Sequence, residues 1–542
     1  MSARLLRSTT VFSAMTFLSR ISGLVRDQIY AQVFGASAAM DAFVAVFRIP
    51  NFLRRLSAEG SFSMAFVPVL AEYKASNDPA AVKALVDRVA GALIGALLIV
   101  TAVAIAIAPW LISLIAPGFG RGSEQWQLAT DMLRITFPYA MFISLAAMVG
   151  GILNSFGRFA VPALSPILLN VAMIIAALWG APLAARWGYE PVFALAWGVF
   201  AAGLLQLAFQ LPSLHRLGLL PRPRLDLAHA GVRKIGRLMV PTLFGSSVAQ
   251  FNLLFNTFVA SLLVGGSMTW LYYADRLLEF PLGMFGVAIG TVILPHLAAR
   301  HTAGDAAGYS RGLDWALRLC LLIGVPSCIG LVLCARPLLA TLFQYGNFGA
   351  TDVQMSALAL MAQALAVPAF LLVKVLAPAF YSRQDTRTPV KAGLVSMAIN
   401  ALSMLALLAG LLWLTGAGQQ ALAEAGGSVT GALKLLPGAH ALLALAVAIA
   451  GWANALQLAW YLRQAQVVAL QPGWGRFALQ LGSSALVMAL VVAALVAWLG
   501  DFDAWTWWER GLRLALVVGA GALSYLLVLM LAGWRVRELR AR

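Results

Sequence analysis

Apolar runs of about 20 residues recur along the whole of this 542-residue chain. A helix of that length crosses the hydrocarbon core of a bilayer. Hydrophobic residues make up 61% of the chain and charged residues 11%, whereas a soluble globular protein is about half apolar and a quarter charged. The sequence therefore predicts an all-α polytopic membrane protein.

Hydropathy divides the chain into about fourteen predicted transmembrane helices, and Pro and Gly residues mark the joints between them. The predicted spans are residues 9–34, 38–72, 89–115, 126–154, 160–181, 191–211, 238–264, 267–298, 315–342, 352–381, 389–414, 438–462, 477–499 and 511–533.

The distribution of basic residues predicts the orientation of these spans. With the N-terminus inside, 24 of the 38 Lys and Arg residues lie in or near the inside loops and tails, seven lie in or near the outside loops, and the other seven lie within spans. Such a bias is the positive-inside pattern of membrane proteins. We therefore expect both termini to be cytoplasmic. The net charge of +17 is then a topology signal, and we expect no nucleic-acid partner.

Short matches in the sequence indicate an internal repeat of six spans. An even number of spans gives both copies the same orientation, as in parallel repeats with a substrate site between lobes. We predict an N-terminal lobe at 1–220, a C-terminal lobe at 221–466, and two further spans with a basic tail at 467–542, the lobes enclosing a central cationic cavity. The matched pairs are Pro68 with Pro295, Pro162 with Pro389, Gly35 with Gly265, and Pro109 with Pro337.

The first two spans carry an unusual number of charges for membrane helices. Each Arg or Asp near a bilayer centre costs roughly 2.5–3.5 kcal/mol, so such residues must face protein or water. An intramembrane charge is therefore a functional-site hypothesis by default. Arginines outnumber carboxylates here, which favours an anionic cargo over the alternative that these are ion pairs locking helices together. The charges are Arg20, Arg26, Asp27, Asp41, Arg48, Arg54, Arg55 and Glu59.

Helical spacing groups these charges by face. Arg20 and Asp27 are seven residues apart and share a face, with Arg26 about 120° away unless a bend at Gly23 brings it in. Asp41, Arg48 and Arg55 also recur every seven residues, and periodicity leaves open whether Arg54 or Arg55 points inward. In the eighth span, Asp275 and Glu279 are spaced i,i+4, and Arg276 and Glu279 are spaced i,i+3, close enough to pair.

Other motifs indicate packing more than chemistry. We expect no catalytic residue, metal ligand or cofactor, because the five histidines are scattered and no nucleotide motif is present. Gly91 with Gly95, and Gly286 with Gly290, are helix-packing motifs. Asp501-Phe502-Asp503 resembles the DxD of metal-dependent glycosyltransferases, which leaves a membrane enzyme acting on lipid-linked sugars as an alternative.

Several segments resemble the lipid II flippase family (MurJ, or MviN) of the multidrug/oligosaccharidyl-lipid/polysaccharide (MOP) exporter superfamily. The resemblance implies a non-enzymatic bacterial inner-membrane protein that moves lipid II from the cytoplasmic to the periplasmic leaflet by alternating access, as cell-wall synthesis and cell shape require. The matching segments are LSRISGLVRD at 18–27, PNFLRRLSAEGSFSMAFVPVLAEYK at 50–74, WLYYADRLLEFPLGMFGVAIGT at 270–291 and VLAPAFYSRQDTRTPVK at 375–391.

The resemblance also implies a set of site residues. It assigns substrate binding to four cavity arginines, and it favours Arg54 over Arg55. Arginine forks bind phosphate oxygens bidentately, which suits the pyrophosphate of the undecaprenyl-linked disaccharide-pentapeptide. The arginines are Arg20, Arg26, Arg54 and Arg276; supporting polar residues are Ser19, Asp27, Asp41 and Glu59, to which the pairing argument adds Asp275 and Glu279.

Expected partners are membrane lipids, lipid II and the cell-wall synthesis machinery. The main alternative is another MOP-type exporter of drugs or polysaccharide-lipids, although cationic drugs would require intramembrane carboxylates to predominate. The energy source is open between an ion gradient and the membrane potential, where 100 mV is worth about 2.3 kcal/mol per charge.

Overall fold

A computed structural model describes residues 3–55, 62–466 and 471–534 of the chain. Within these ranges the chain is helical and contains no β-strand. Five-residue π-helical turns join α8 to α9 and α12 to α13. The helices are α1 Ala3–Phe34, α2 Ala38–Arg54, α3 Phe62–Ala75, α4 Pro79–Ala106, α5 Ala108–Ile115, α6 Glu124–Thr136, α7 Pro138–Ser155, α8 Ala160–Ile175, α9 Ala181–Arg186, α10 Phe193–His215, α11 Ala230–Ser261, α12 Ser267–Pro281, α13 Val287–Thr302, α14 Ala306–Leu333, α15 Ala335–Phe343, α16 Ala350–Ala364, α17 Val367–Tyr381, α18 Arg387–Leu414, α19 Gly416–Glu424, α20 Val429–Leu435, α21 Ala439–Gln464, α22 Trp474–Leu499 and α23 Trp507–Leu531.

The described residues contain ten helical stretches that are long and apolar enough to cross a membrane. The pair α16–α17, bent by 42°, makes an eleventh if it is one span. Three of the fourteen predicted spans do not meet this criterion. They are 9–34, which corresponds to α1, 38–72, which corresponds to α2 and α3, and 238–264, which corresponds to α11. The helices α2 and α3 are each short, and α1 and α11 carry polar side chains among their apolar ones. The chain is a multi-span membrane protein, and the count of fourteen stays a prediction.

The helix order repeats along the chain, as the short sequence matches predict. The helices α1, α4, α5 and α8 begin at residues 3, 79, 108 and 160, whereas α11, α14, α15 and α18 begin at 230, 306, 335 and 387. Each start is therefore displaced by 227 residues, and α1 and α11 are both 32 residues long. Two copies of one run of helices account for this register.

Packing divides the chain at a different point from the repeat. The helices form two compact units, Met1–Gly266 and Ser267–Arg542. The repeat places α11 at the start of the second copy, but α11 packs against α3, α4 and α5 and so lies in the first unit. The boundary between the compact units therefore differs from the boundary between the repeat copies. The lobes at 1–220 and 221–466 describe the repeat, and they stay a prediction.

The first glycine motif, Gly91 with Gly95, packs against a loop and not against a second helix. A Cβ on Gly91 would lie 2.2 Å from the carbonyl oxygen of Arg224, in the extended segment between α10 and α11. The Arg224 amide donates to the Asp87 carbonyl at 3.1 Å, and Arg88 pairs with Asp226 at 2.9 Å. The helix-packing prediction is therefore wrong for Gly91. It holds for the second motif, because a Cβ on Gly286 would contact Leu371 of α17.

Candidate functional site

The helix α1 carries a buried ion pair. Arg26 is 5% exposed and Asp27 is 1% exposed. The Nε and Nη2 atoms of Arg26 donate to Asp27 Oδ1 at 3.0 and 2.7 Å. The guanidinium also lies 5.5 Å from the centre of the Tyr30 ring. A buried charge needs this kind of pairing, because an isolated one is strongly disfavoured in a low dielectric.

Asn170 joins this pair to α8. Its Oδ1 accepts from Arg26 Nη1 at 2.9 Å, and its Nδ2 donates to Ser22 Oγ at 2.8 Å and to the Ser19 carbonyl at 3.1 Å. Ser19 thus contributes through its backbone. Sequence reasoning missed Asn170, although a single amide inside the apolar run SPILLNVAMII is a recognisable signal of interhelical hydrogen bonding.

The structure brings Arg26 to Asp27 without a bend at Gly23. The helix α1 is continuous from Ala3 to Phe34, and the long arginine side chain spans the angle between neighbouring positions. A Cβ on Gly23 would lie 3.6 Å from Asn170 Nδ2, so the glycine faces α8. Arg20 is exposed. The Arg26–Asp27 ion pair lies within α1, and the hydrogen bond from Arg26 to Asn170 is what joins it to α8.

Asp41 and Arg48 are seven residues apart on α2, and they contact the turn after α11 and α11 itself, respectively. Asp41 is buried, and its Oδ2 accepts from the Gly266 amide at 2.7 Å. Gly266 has φ +94°, a conformation that favours glycine. Arg48 Nη1 donates to Thr257 Oγ1 at 2.7 Å. Asp41 therefore anchors the turn that follows α11.

The two adjacent arginines at the end of α2 differ in their surroundings. Arg54 is half-buried, and its Nε donates to Asn51 Oδ1 at 3.1 Å. Arg55 is exposed. Glu59, the remaining predicted residue of this segment, lies outside the described residues. The difference in burial agrees with the choice of Arg54 that the resemblance implies.

The second unit carries its own charged group on α12. Arg276 Nη1 lies 3.2 Å from Glu279 Oε2, as the spacing predicts, and its guanidinium lies 5.4 Å from the centre of the Tyr272 ring. Asp275 instead accepts a hydrogen bond from Gln363 of α16. The Arg276 side chain is 29% exposed. Arg20, Arg54 and Arg276 thus keep accessible surface, whereas Arg26 is packed.

The DxD segment is part of the attachment of the last two helices. Asp501 and Asp503 lie 3.6 and 3.4 Å from the Arg336 guanidinium at the start of α15. Arg510, which is buried, donates to the carbonyls of Trp505, Ala340 and Asp503 at 2.8 to 3.1 Å. These contacts fix the loop between α22 and α23 to α15, which is a structural use of both carboxylates.

Ten long apolar helical stretches in the described residues, with arginines on several helices, define a multi-span membrane protein. A sequence profile described as "Lipid II flippase MurJ" matches residues 30–517. The chain is 41% identical to the "Probable lipid II flippase MurJ" of Vibrio cholerae, covering 100% of this chain and 98% of that protein. It is also 41% identical to the "Lipid II flippase MurJ" of Burkholderia cenocepacia, over 93% and 91% of the two chains. The chain belongs to the lipid II flippase MurJ family.

Solved structures share the fold. A structure described as "Lipid II flippase MurJ, inward closed conformation" has a TM-score of 0.75 and 24% identity, covering 96% of this chain and 98% of that chain. An inward-facing MATE-family transporter of the MOP superfamily has a TM-score of 0.63 and 14% identity, covering 84% and 98%. At these identities the likeness concerns the fold alone.

Proposed function

We propose that this chain moves lipid II from the cytoplasmic to the periplasmic leaflet of the bacterial inner membrane by alternating access. The observation that carries the proposal is full-length family membership, at 41% identity to the Vibrio cholerae relative. The physical need is clear, since the charged sugar-peptide head group cannot cross hydrocarbon while its polyprenyl tail stays in lipid. The protein is a transporter and forms no covalent bond to its cargo.

We propose further that Arg20, Arg26, Arg54 and Arg276 bind the pyrophosphate. Guanidinium forks match phosphate oxygens bidentately, and a low dielectric strengthens the contact. The accessible surface of Arg54 and Arg276 supports this assignment. Arg26 would bind phosphate through Nη1, by exchanging the neutral Asn170 amide for it, while Asp27 stays paired and no carboxylate is left buried alone.

The carboxylates and Ser19 keep supporting roles in this proposal. Asp27 holds Arg26 before the cargo arrives, Glu279 orients Arg276, and Asp275 and Asp41 secure neighbouring helices. Glu59 completes the predicted set. We propose that both termini are cytoplasmic, that no cofactor is bound, that an ion gradient or the membrane potential drives transport, and that cell-wall synthesis enzymes receive the cargo.

Depletion of the protein in its host tests the function directly. An externally added enzyme that cleaves lipid II and cannot enter the cell reports the lipid II of the outer leaflet. We expect depletion to protect lipid II from this enzyme, and re-expression of the wild-type chain to restore cleavage. Total lipid II, extracted after lysis, is the control for synthesis. If external cleavage continues unchanged after depletion, another protein carries lipid II and the proposal fails.

A further inference from the structure

One pocket in the second unit has a chemistry that the transport of lipid II does not use. It is a cavity of about 420 Å³ where the end of α17, the start of α18 and the end of α21 meet. We call it the basic pocket. Its lining residues are Phe380, Arg383, Asp385, Thr388, Lys391, Tyr461, Gln464 and Ala465.

Asp385, the one carboxylate that lines the basic pocket, already accepts hydrogen bonds from the first turn of α18. Asp385 Oδ1 accepts from the amides of Arg387 and Thr388 at 3.0 Å each, and Oδ2 accepts from Thr388 Oγ1 at 2.6 Å. Burial raises the pKa of Asp385, but these hydrogen bonds and the charge of Arg383 outweigh it and hold the pKa below its usual value. The carboxylate therefore stays ionised and satisfies the first turn of α18.

Four side chains that can donate hydrogen bonds line the basic pocket, namely Arg383, Lys391, Tyr461 and Gln464. Among the residues the structure describes, Arg383 and Lys391 form no ion pair closer than 4 Å, and the side chains of Tyr461 and Gln464 form no hydrogen bond. Lys391 Nζ lies 5.7 Å from the centre of the Tyr461 ring. Two cations, an amide and a phenol hydroxyl are the groups that bind phosphate oxygens.

The surroundings of the basic pocket are those of a membrane surface. Large apolar side chains are exposed beside and within two turns of the lining residues on the same helices, at Val390 and Leu394 of α18 and at Leu456 and Trp460 of α21. Exposed Arg387 and Arg463 stand at the same helix ends, which the basic-residue pattern predicts to be cytoplasmic. Basic pockets between transmembrane helices on the cytoplasmic side bind anionic lipid head groups.

We propose that the basic pocket binds the phosphate of an anionic phospholipid from the inner leaflet, whose acyl chains lie along the apolar faces of α18 and α21. The size of the cavity falls in the range of small-ligand pockets, about 300–1,000 Å³. This site is independent of the cargo, because its residues are separate from the arginines proposed for lipid II.

Native mass spectrometry of the purified full-length protein, titrated with phosphatidylglycerol or phosphatidylcholine, measures this binding. The wild-type protein should retain phosphatidylglycerol in preference to phosphatidylcholine. Arg383→Gln combined with Lys391→Gln should weaken phosphatidylglycerol binding at least about tenfold, because two charge-assisted contacts are lost. Phosphatidylcholine binding and the melting temperature should not change.

The matched control is Arg387→Gln combined with Arg463→Gln, which removes the same charge from the same helix ends but leaves the lining intact. It should lose several-fold less affinity, and the charge-conserving pair Arg383→Lys with Lys391→Arg should retain binding. Equal losses in both Gln pairs, or equal binding of the two lipids, overturn the proposal. Displacement of phosphatidylglycerol by millimolar inorganic phosphate would show a site for soluble phosphate and refute the lipid.

Discussion

At the scale of single residues, the cluster around Arg26 combines stability with the proposed binding of the cargo phosphate. Three guanidinium nitrogens are bonded to Asp27 and Asn170, so the group is held in one orientation. A phosphate that replaces the Asn170 amide at Nη1 would meet a preorganised guanidinium, which lowers the entropic cost of binding. Substitutions must therefore separate what Arg26 does for folding from what it does for transport.

Arg26→Ala should impair both folding and transport. It leaves Asp27 buried without its partner, which costs on the order of 3–5 kcal/mol. Arg26→Met combined with Asp27→Leu removes the pair and should recover most of the melting temperature, since apolar replacement of a buried pair is often neutral. We expect this double variant to be stable and still not to complement a depleted strain at matched protein levels. Normal growth would show that Arg26 is structural only.

Arg54 and Arg55 form a natural matched pair, since they are adjacent and differ in burial. Arg54→Ala should abolish complementation, and Arg54→Lys should rescue it poorly because an ammonium lacks the fork. Arg55→Ala should support growth. Equal tolerance of both alanine variants, measured at matched protein levels, would contradict the assignment of Arg54 to the cargo.

The sequence identified the charged residues but not their partners. Spacing along one helix is enough to pair Arg276 with Glu279 and to align Asp41 with Arg48. Asn170 and Gly266 lie 144 and 225 residues from the groups they bind, so their roles depend on which helices pack together. A single sequence contains no direct information on that packing.

At the scale of elements, helix positions were largely predictable and loop packing was not. Apolar length and Pro or Gly at the joints are local signals, so most predicted spans coincide with helices. The segment between α10 and α11 has no such pattern, and its course along α4 follows from the absence of a side chain at Gly91. The GxxxG motif is visible in sequence, but the element that fills it is not.

Replacing Gly91 by Ala should therefore affect stability differently from replacing Gly95 by Ala. Gly91→Ala places a Cβ against the Arg224 backbone and should destabilise the protein by about 1–3 kcal/mol, as overpacking does. Gly95→Ala is the matched control, because its Cβ would lie 3.5 Å from the Leu225 side chain, an ordinary contact. Helix propensity should then make Gly95→Ala neutral or slightly stabilising. Equal losses of melting temperature would restore the helix-packing interpretation.

At the scale of the whole molecule, a single displacement along the chain relates the matched prolines, the helix starts and the predicted orientation of the loops. A displacement of 227 residues separates the starts of α4 and α14, as it separates Pro68 from Pro295. Six spans per copy predict that equivalent loops lie on the same side of the membrane, and the positive-inside bias predicts which side that is. Both predictions concern loops and are open to direct measurement.

Single cysteines test them together in a background where Cys320, Cys328 and Cys334 are replaced by Ala. Ser76 and Ala303 are exposed, lie in the loops after α3 and α13, and are themselves 227 residues apart. We expect a membrane-impermeant maleimide to label Ser76→Cys and Ala303→Cys only after spheroplasts are lysed. Glu190→Cys, in a loop, and Glu424→Cys, at the end of α19, are exposed in connections predicted to be periplasmic, so they should label in intact spheroplasts and serve as controls for reactivity. If Ser76→Cys and Ala303→Cys label from opposite sides of the membrane, the parallel repeat is refuted, because loops separated by an even number of spans lie on the same side. Labelling of both from outside, with both glutamate positions protected, would keep the repeat and reverse the orientation, and the basic residues of the tails would then need another explanation.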